Sequence, residues 1–380
     1  MSANEKWQTA IEERLRSAAR ILRRIGQPGP WWRRIAMALF LVAALAMSVH
    51  CYRNSMFDID LLGYAGSVAF LDTGDIVAGH SLVYREPLTP HLRGLDDNGK
   101  QAMDMRRRAA DPYYAAVFLP YFAIKPLYVS MMQLAHKAGL SVIDSSRAVS
   151  TFFYFGIAVM LWLYTGSPLA LIVLVFPEVM LVGQANEPDG MSCFFLLLGL
   201  WLVFIKNRDM GLLVLVLSVW VRPENMLLCL LAFLVLFVQR RLDLAKAAVL
   251  AVLCVGSDML INHFGYPWRE LYSHMLGNQP GTGTTFELSQ YFSSLAHGVR
   301  DMLHGAAPLF GLLWVVCFPL VQRGLRLIMA LTLLFSIGRF LIFPPYEPRY
   351  YPLFFVVTSI AAVVVATEAL WRKWFSHSSL

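Results

Sequence analysis

The sequence predicts an all-α protein that crosses a membrane many times. Its mean hydropathy is +0.55, with 57% hydrophobic and only 15% charged residues, far from the composition of a soluble domain. Apolar runs long enough to cross a bilayer recur along the chain. Basic residues gather at the ends of these runs, so the net charge of +7 indicates membrane topology and predicts no nucleic-acid partner.

Residues 1–33 are predicted to form a basic amphipathic helix on the cytoplasmic membrane surface. Its apolar side carries five residues at helical spacing: Ile11, Leu15, Ala18, Leu22 and Ile25. The membrane domain is predicted to follow over residues 34–380, beginning just after Trp31 and Trp32.

About ten transmembrane helices are predicted in that domain. Two of them, 210–221 and 226–238, are individually short for a crossing. The predicted spans are 35–50, 148–165, 168–184, 190–205, 210–221, 226–238, 245–263, 305–321, 325–343 and 350–370.

Charge predicts which junctions face the cytoplasm. Basic clusters recur at every second junction and at the C-terminal end, so by the positive-inside rule both chain ends are cytoplasmic. These clusters are Lys206/Arg208, Arg240/Arg241, Arg323/Arg326 and Arg372/Lys373. The alternate junctions then face outward: a first loop at 51–147, two short turns at 186–189 and 221–225, a second loop at 264–304, and 346–350.

The apolar segment 113–139 is not predicted to cross the membrane. Lys125 and two prolines interrupt it, and His136 and Lys137 stand at its end. A crossing here would also move every later basic cluster to the outside. We expect one or two juxtamembrane helices on the outer surface instead.

Candidate site residues are polar groups on the predicted outer side. Carboxylates at a membrane edge are costly unless they stay hydrated or find partners, so Asp58 and Asp60 after the first span call for a chemical role. The same side carries Tyr64, Lys125, Glu187, Asp189, Arg222, Glu224, Glu347, Arg349 and Tyr350.

In order and sidedness these motifs resemble the GT-C superfamily of membrane glycosyltransferases, which includes protein mannosyltransferases and aminoarabinose transferases. Asp58-Ile-Asp60-Leu-Leu-Gly-Tyr64 is similar to the acidic residue or pair, closely followed by Tyr, in the family's first outer loop. Lys125-Pro-Leu-Tyr128 resembles the start of a juxtamembrane helix, and Glu187-Pro-Asp189 an acidic spot beside the third span. Arg222-Pro-Glu224-Asn225 and Arg349-Tyr350-Tyr351-Pro352 resemble later motifs, so the likeness extends over nearly the whole chain.

The resemblance implies a GT-C-like bundle with its active site on the periplasmic face of a bacterial inner membrane. The donor would be a polyprenyl-phosphate sugar taken from the membrane lipids. A carboxylate would accept the acceptor's proton; Asp60 fits best by its spacing to Tyr64, with Asp58 as the alternative because the Asp-Glu pair of the family is missing.

The resemblance also implies roles for the other residues. Lys125, Arg222 and Arg349 would bind the donor phosphate. Acceptor or sugar contacts would come from Glu187, Asp189, Glu224, Tyr64, Glu347 and Tyr350. The resemblance leaves metal dependence open, because some relatives use a metal and others do not; the residues that could hold a divalent cation are Asp60, Glu187 and Asp189. Because no outer domain follows the last predicted span, the expected acceptor is a glycolipid or polysaccharide, met partly through loop 264–304.

Two other functions use a similar multi-pass architecture. A lipid-linked saccharide flippase or transporter would also carry charges within the membrane, although such proteins often show half-repeats that are not evident here. A polysaccharide polymerase or ligase would share the substrate class but use its own outer-loop arginines. Arg339 and Asp258 lie deeper in predicted spans, where they would line a cavity or form structural pairs.

Overall fold

The computed structural model describes residues 30–57, 59–84, 100–266, 270 and 287–376. Within these ranges the chain is helical and contains no strand, which confirms the all-α prediction. Most of the predicted amphipathic helix at 1–33 and all of Asp58 lie outside the described residues.

The first half of the described chain contains two long helices, Pro30–Arg53 and Val142–Thr165, separated and followed by shorter ones. Its helices are α1 (Pro30–Arg53), α2 (Ile59–Thr73), α3 (Ile76–Val83), α4 (Lys100–Ala110), α5 (Pro112–Ala116), α6 (Leu119–Ala123), α7 (Pro126–Lys137), α8 (Val142–Thr165), a 3-10 turn (Pro168–Ala170), α9 (Leu171–Leu174) and α10 (Pro177–Gln184).

The second half is dominated by apolar helices. These are α11 (Asp189–Leu200), which ends in a π-helical turn (Trp201–Ile205), α12 (Met210–Val219), α13 (Asn225–Val238), α14 (Leu244–Phe264), α15 (Leu288–His304), α16 (Ala307–Cys317), α17 (Arg323–Ile342), a 3-10 turn (Pro348–Tyr350) and α18 (Pro352–Ser376).

Within the described ranges, helix length and composition support between five and eight membrane spans. Five straight helices qualify alone: α1, α8, α14, α17 and α18. Three helix pairs qualify only together, and each is bent by 71° or 115° at its break. Helices α12 and α13 are apolar but shorter.

Prolines explain where several helices begin. A proline at the first helical position loses no hydrogen bond, whereas it interrupts a helix interior. Pro168 begins a 3-10 turn and Pro177 begins α10, with α9 between them, so the segment 168–184 is not the continuous helix that the sequence predicted. Pro126 likewise separates α7 from α5 and α6 with a 115° bend, and no straight span forms over 113–139.

Helix α11 lies at the centre of the bundle and packs against α8 and α12. The approach of α12 depends on a pair of glycines. A Cβ added at Gly211 would lie 2.7 Å from the carbonyl oxygen of Gly199, closer than real Cβ contacts. The backbones of the two helices therefore meet where neither carries a side chain.

We predict that Gly211→Ala destabilises the protein and that Gly256→Ala does not. The new methyl group at Gly211 would overlap the backbone and side chains of α11, a kind of overpacking that costs about 1–3 kcal/mol. Gly256 on α14 has nothing within 4 Å of an added Cβ, so alanine there should be neutral or stabilise by up to about 1 kcal/mol. Thermal unfolding of both variants in one detergent measures this difference, and equal unfolding temperatures would contradict the packing described.

Candidate functional site

Hydrogen bonds between distant segments hold the predicted site residues together. Leu127 N–H donates to the carbonyl of Trp220 at 3.0 Å, which joins the Lys125 segment to the turn that carries Arg222 and Glu224. Buried hydroxyls of Ser146 and Ser150 on α8 donate to the carbonyl oxygens of Asn186 and Glu187, at 2.9 and 3.1 Å. These bonds satisfy polar backbone groups inside an apolar bundle, where unpaired groups are costly.

The turn before α13 is fixed in the same way. The side-chain amide of Asn225 donates to Ser192 Oγ at 2.8 Å and to the carbonyl of Ser218 at 2.9 Å. This residue is 1% exposed, so its hydrogen bonds do not compete with water. The start of α11 and the Arg222–Glu224 turn are therefore held at a defined separation.

Arg349 joins carboxylates from three separate parts of the chain. Its Nη2 lies 3.2 Å from Asp60 Oδ2 in the first turn of α2, and its Nη1 donates to Glu187 ahead of α11. Its Nε donates to Glu347 at 2.5 Å. We call these four residues the Arg349 cluster. A single guanidinium has five N–H donors and can serve several carboxylates at once.

A second cluster lies beside the first and is more deeply buried. Arg222 pairs with Asp189 in the first turn of α11, and its Nε lies 2.8 Å from Glu224 Oε1. Arg339 on α17 reaches the same oxygen at 3.3 Å. We call Arg222, Arg339, Asp189 and Glu224 the two-arginine cluster. Its charges balance, which is the condition under which ions tolerate burial.

The ring of Tyr350 lies between the two clusters. The guanidinium carbons of Arg339, Arg349 and Arg222 are 4.5, 5.1 and 5.5 Å from its centroid. Each distance is within the range of an attractive cation–π contact. Tyr350 therefore separates three positive charges while stabilising each of them.

Glu224 is a structural counter-ion. Burial opposes its ionisation, but the charges of Arg222 and Arg339 outweigh that effect and lower the pKa of Glu224 to about 2. A carboxyl group this acidic does not accept a proton at neutral pH. Its stabilising effect is present above the pKa of an unfolded Glu, about 4.3, and is lost as pH falls towards about 2.

Lys125 differs from the arginines because no described carboxylate pairs with it. Its Nζ donates to the carbonyl of Tyr121 at 3.3 Å and lies 5.3 Å from the ring centroid of Tyr64. Burial lowers the pKa of Lys125 to about 8, and the nearby positive charge of Arg222 acts in the same direction. Lys125 is thus a mostly protonated cation whose charge is incompletely compensated.

The two-arginine cluster borders a partly open cavity of about 340 Å³. Asp189 Oδ2 and Arg339 Nη1 are buried here without a hydrogen-bond partner among the described residues. The cavity continues past Tyr350 and Tyr351 to the start of α18.

The structure brings together most of the residues that the sequence singled out. Tyr64 lies near these residues but is buried, with only 3% of its surface exposed. Its ring packs edge-on against Phe122 and Tyr128, with ring centroids 4.8 and 5.1 Å apart. It supports Lys125 and does not offer an open sugar-binding surface. In loop 264–304, residues 267–269 and 271–286 lie outside the described residues.

The carboxylates proposed as metal ligands are divided between the clusters. Asp60 and Glu187 contact Arg349, whereas Asp189 contacts Arg222. Within the described part of the chain, no three His, Cys, Asp or Glu side chains are grouped as a metal site would require. The three carboxylates that the sequence offered as possible cation ligands, Asp60, Glu187 and Asp189, therefore do not form one ligand set among the described residues.

Arg339 belongs to the site although the sequence placed it among secondary candidates. Its side chain is 4% exposed, and its ion-pair partner is Glu224. The sequence feature that pointed to Arg339 is its position as a lone arginine within an apolar span, because a charge placed there needs a partner inside the protein. Spacing along the sequence could not identify that partner, because 115 positions separate the two residues.

Comparisons with known proteins give no independent identification. No family model, curated protein or solved structure matches this chain. The functional argument therefore depends on the geometry of the two clusters and Lys125.

We predict that Glu224→Gln and Arg339→Met are each strongly destabilising and that their combination is less than additive. Either change leaves a buried charge without its partner, which costs about 3–5 kcal/mol, and the double variant removes both charges. A double-mutant cycle by denaturant or thermal unfolding measures the coupling.

The matched control is Lys246→Gln. Lys246 pairs with Asp243 at 3.5 Å, but its side chain is 71% exposed and the pair is screened by solvent. This variant should unfold like the wild type. Strictly additive losses for Glu224 and Arg339 would show that the pair does not stabilise the fold.

Proposed function

We propose that this protein is a GT-C-type glycosyltransferase that moves a sugar from a polyprenyl-phosphate carrier to a glycolipid or polysaccharide. The observation that carries the proposal is the contact between Asp60 and Arg349, with Lys125 close by. It places a partly exposed carboxylate beside cations suited to a phosphate. The GT-C resemblance of the motifs supplies the reaction class.

In the proposed reaction, an acceptor hydroxyl oxygen attacks the anomeric carbon of the donor sugar. The new C–O bond forms as the bond from that carbon to the phosphate oxygen breaks, and the electron pair leaves with the phosphate. Asp60 accepts the hydroxyl proton as its oxygen becomes bonded to carbon. The side-chain carboxylate of Asp60 is 31% exposed, so an acceptor can approach it.

The cations differ in their availability to the leaving phosphate. Lys125 pairs with no carboxylate among the described residues and remains mostly protonated at neutral pH, so it provides the first attraction for the anion. Arg349 can then bind the phosphate, by replacing its contact with one carboxylate by a contact with a phosphate oxygen. Arg222 is engaged by Asp189 and Glu224, and its role is to position Tyr350 and the Arg222–Glu224 turn.

The proposed membrane arrangement has ten spans and both chain ends in the cytoplasm. It treats the 115° bend between α10 and α11 as an outer turn between two crossings, which puts Glu187 and Asp189 at the bilayer surface. The bent segment from α5 to α7 then lies on the outer surface. Helices α12 and α13 cross as a short pair, joined by the turn that carries Arg222.

We predict that Asp60→Asn lowers the sugar transfer rate by about 10²–10⁴-fold, the usual contribution of a general base. Purified protein in proteoliposomes would be supplied with a panel of polyprenyl-phosphate sugars and with glycolipid extracts as acceptors. Asp58→Asn is measured in parallel, because the sequence leaves the two aspartates as alternatives.

The matched control is Asp72→Asn. Asp72 lies on the same helix but accepts a hydrogen bond from Gln133 at 2.8 Å, away from both clusters. Its transfer rate should equal that of the wild type. Wild-type rates for both the Asp60 and Asp58 variants would refute the catalytic assignment, and movement of intact lipid-linked saccharide across the bilayer would favour a flippase.

We also predict that binding of polyprenyl phosphate weakens as pH rises through about 8, the pKa of Lys125 in the free protein. Protonated Lys125 attracts the phosphate, and deprotonation removes that charge. The ligand's own charge is nearly constant here, because its second pKa is near 6. Bound phosphate stabilises the protonated amine, so the midpoint in the complex lies above that of the free protein.

Lys125→Arg provides the control, because a guanidinium stays charged across this pH range. The affinity of this variant for polyprenyl phosphate should not change with pH, whereas Lys125→Met should bind the ligand weakly at every pH. Binding would be measured by ligand-induced thermal stabilisation. A wild-type pH profile that persists in Lys125→Arg would assign the titration to another group.

A further inference from the structure

Helix α15 presents three distinct faces. The first packs on the end of α17, where the hydroxyl of Tyr291 donates to the carbonyl of Leu341 at 2.7 Å. Gly298 lies on this face, and a Cβ there would overlap the carbonyl oxygen of Pro344. The face is thus fixed to the segment that leads to Arg349.

The second face is an exposed apolar stripe. Its residues recur at intervals of three or four positions, so they align along one side of the helix. The stripe consists of Leu288, Phe292, Ala296, Val299 and Leu303. Phe292 is 56% and Leu303 61% exposed, and a contiguous exposed apolar surface of this kind marks a contact with lipid or protein.

The third face is polar and adjoins the stripe. It carries Ser293, His297, Arg300 and His304, all exposed. A helix divided in this way fits a boundary between an apolar and an aqueous phase. Arg300 gives this face a positive charge that is suited to anionic lipid head groups.

The direction of α15 fits such a boundary. It is followed after a short break by the apolar helix α16, and the two axes differ by 71°. In the proposed membrane arrangement α16 belongs to a crossing segment, and a helix joined to it at this angle runs closer to the membrane plane than across it. Because α15 contacts Leu341 and Pro344 at the end of α17, it lies at the end of the bundle that carries Arg339 and Arg349.

We propose that α15 is an interfacial helix whose apolar stripe is inserted among the lipids at the membrane surface nearest the candidate site. Helix α16 follows α15 after two residues and exposes apolar side chains such as Leu309 and Leu312, which selects a lipid surface as the occupant of the stripe. The contact is independent of the proposed glycosyl transfer.

Spin labels placed singly along α15 test the proposal in the full-length protein in lipid nanodiscs. The native cysteines at 51, 193, 229, 254 and 317 are all buried, so new surface cysteines can be labelled selectively. Labels at Phe292, Val299 and Leu303 should collide often with oxygen and rarely with a water-soluble nickel chelate. Labels at Ser293, His297 and Arg300 should show the reverse, with a helical period between the two sets.

Two results would overturn the proposal. Frequent nickel collisions at both sets would place the helix in water. Low accessibility to both reagents along the stripe would show that protein covers it, whether a second copy or another segment of this chain. Repeating the measurement on Asp60→Asn protein should leave the pattern unchanged, which separates this test from that of catalysis.

Discussion

The pairing of one guanidinium with three carboxylates determines how the site is assembled. Arg349 contacts residues that precede α11 and α18 and one in the first turn of α2, so the first loop and the last helices meet at this side chain. An unpaired charge in such a position would cost several kcal/mol. These ion pairs are therefore required for the stability of the fold, in addition to any role in the proposed reaction.

The charges of the two-arginine cluster, which lie deeper in the bundle, must be paired for the same reason. Arg339 enters from α17 and shares Glu224 Oε1 with Arg222, which ties α17 to the turn between α12 and α13. The ring of Tyr350 makes cation–π contacts with the guanidinium groups of all three arginines. Helix α15 supports the neighbouring Pro344 segment from outside, through the close approach at Gly298. The position of Arg349 thus depends on ion pairs within the bundle and on a helix packed against its surface.

The sequence predicted the helical fold class and which polar residues lie in the candidate site. It predicted less well which of those residues contact one another. Hydropathy identifies apolar helices because crossing a bilayer demands them, and alternating charge gathers Asp60, Glu187 and Arg349 on one side. It did not show the breaks in 168–184, because the apolar composition is continuous and only the prolines interrupt the backbone hydrogen bonds. It also could not assign partners such as Glu224 to Arg339, since pairing depends on how each helix is rotated about its axis.

The division of charge suggests how an anion would enter. The two clusters and Lys125 contain four cationic and five acidic side chains, so the site as a whole does not attract a phosphate by net charge. Attraction must come from a local imbalance, and Lys125 provides one because its charge lies near aromatic rings and pairs with no carboxylate of the described residues. A phosphate bound there would compete with Asp60 for Arg349, and the carboxylate released would be the group proposed as the base. Recruitment of the phosphate and release of the base would then be a single exchange of counter-ions around Arg349.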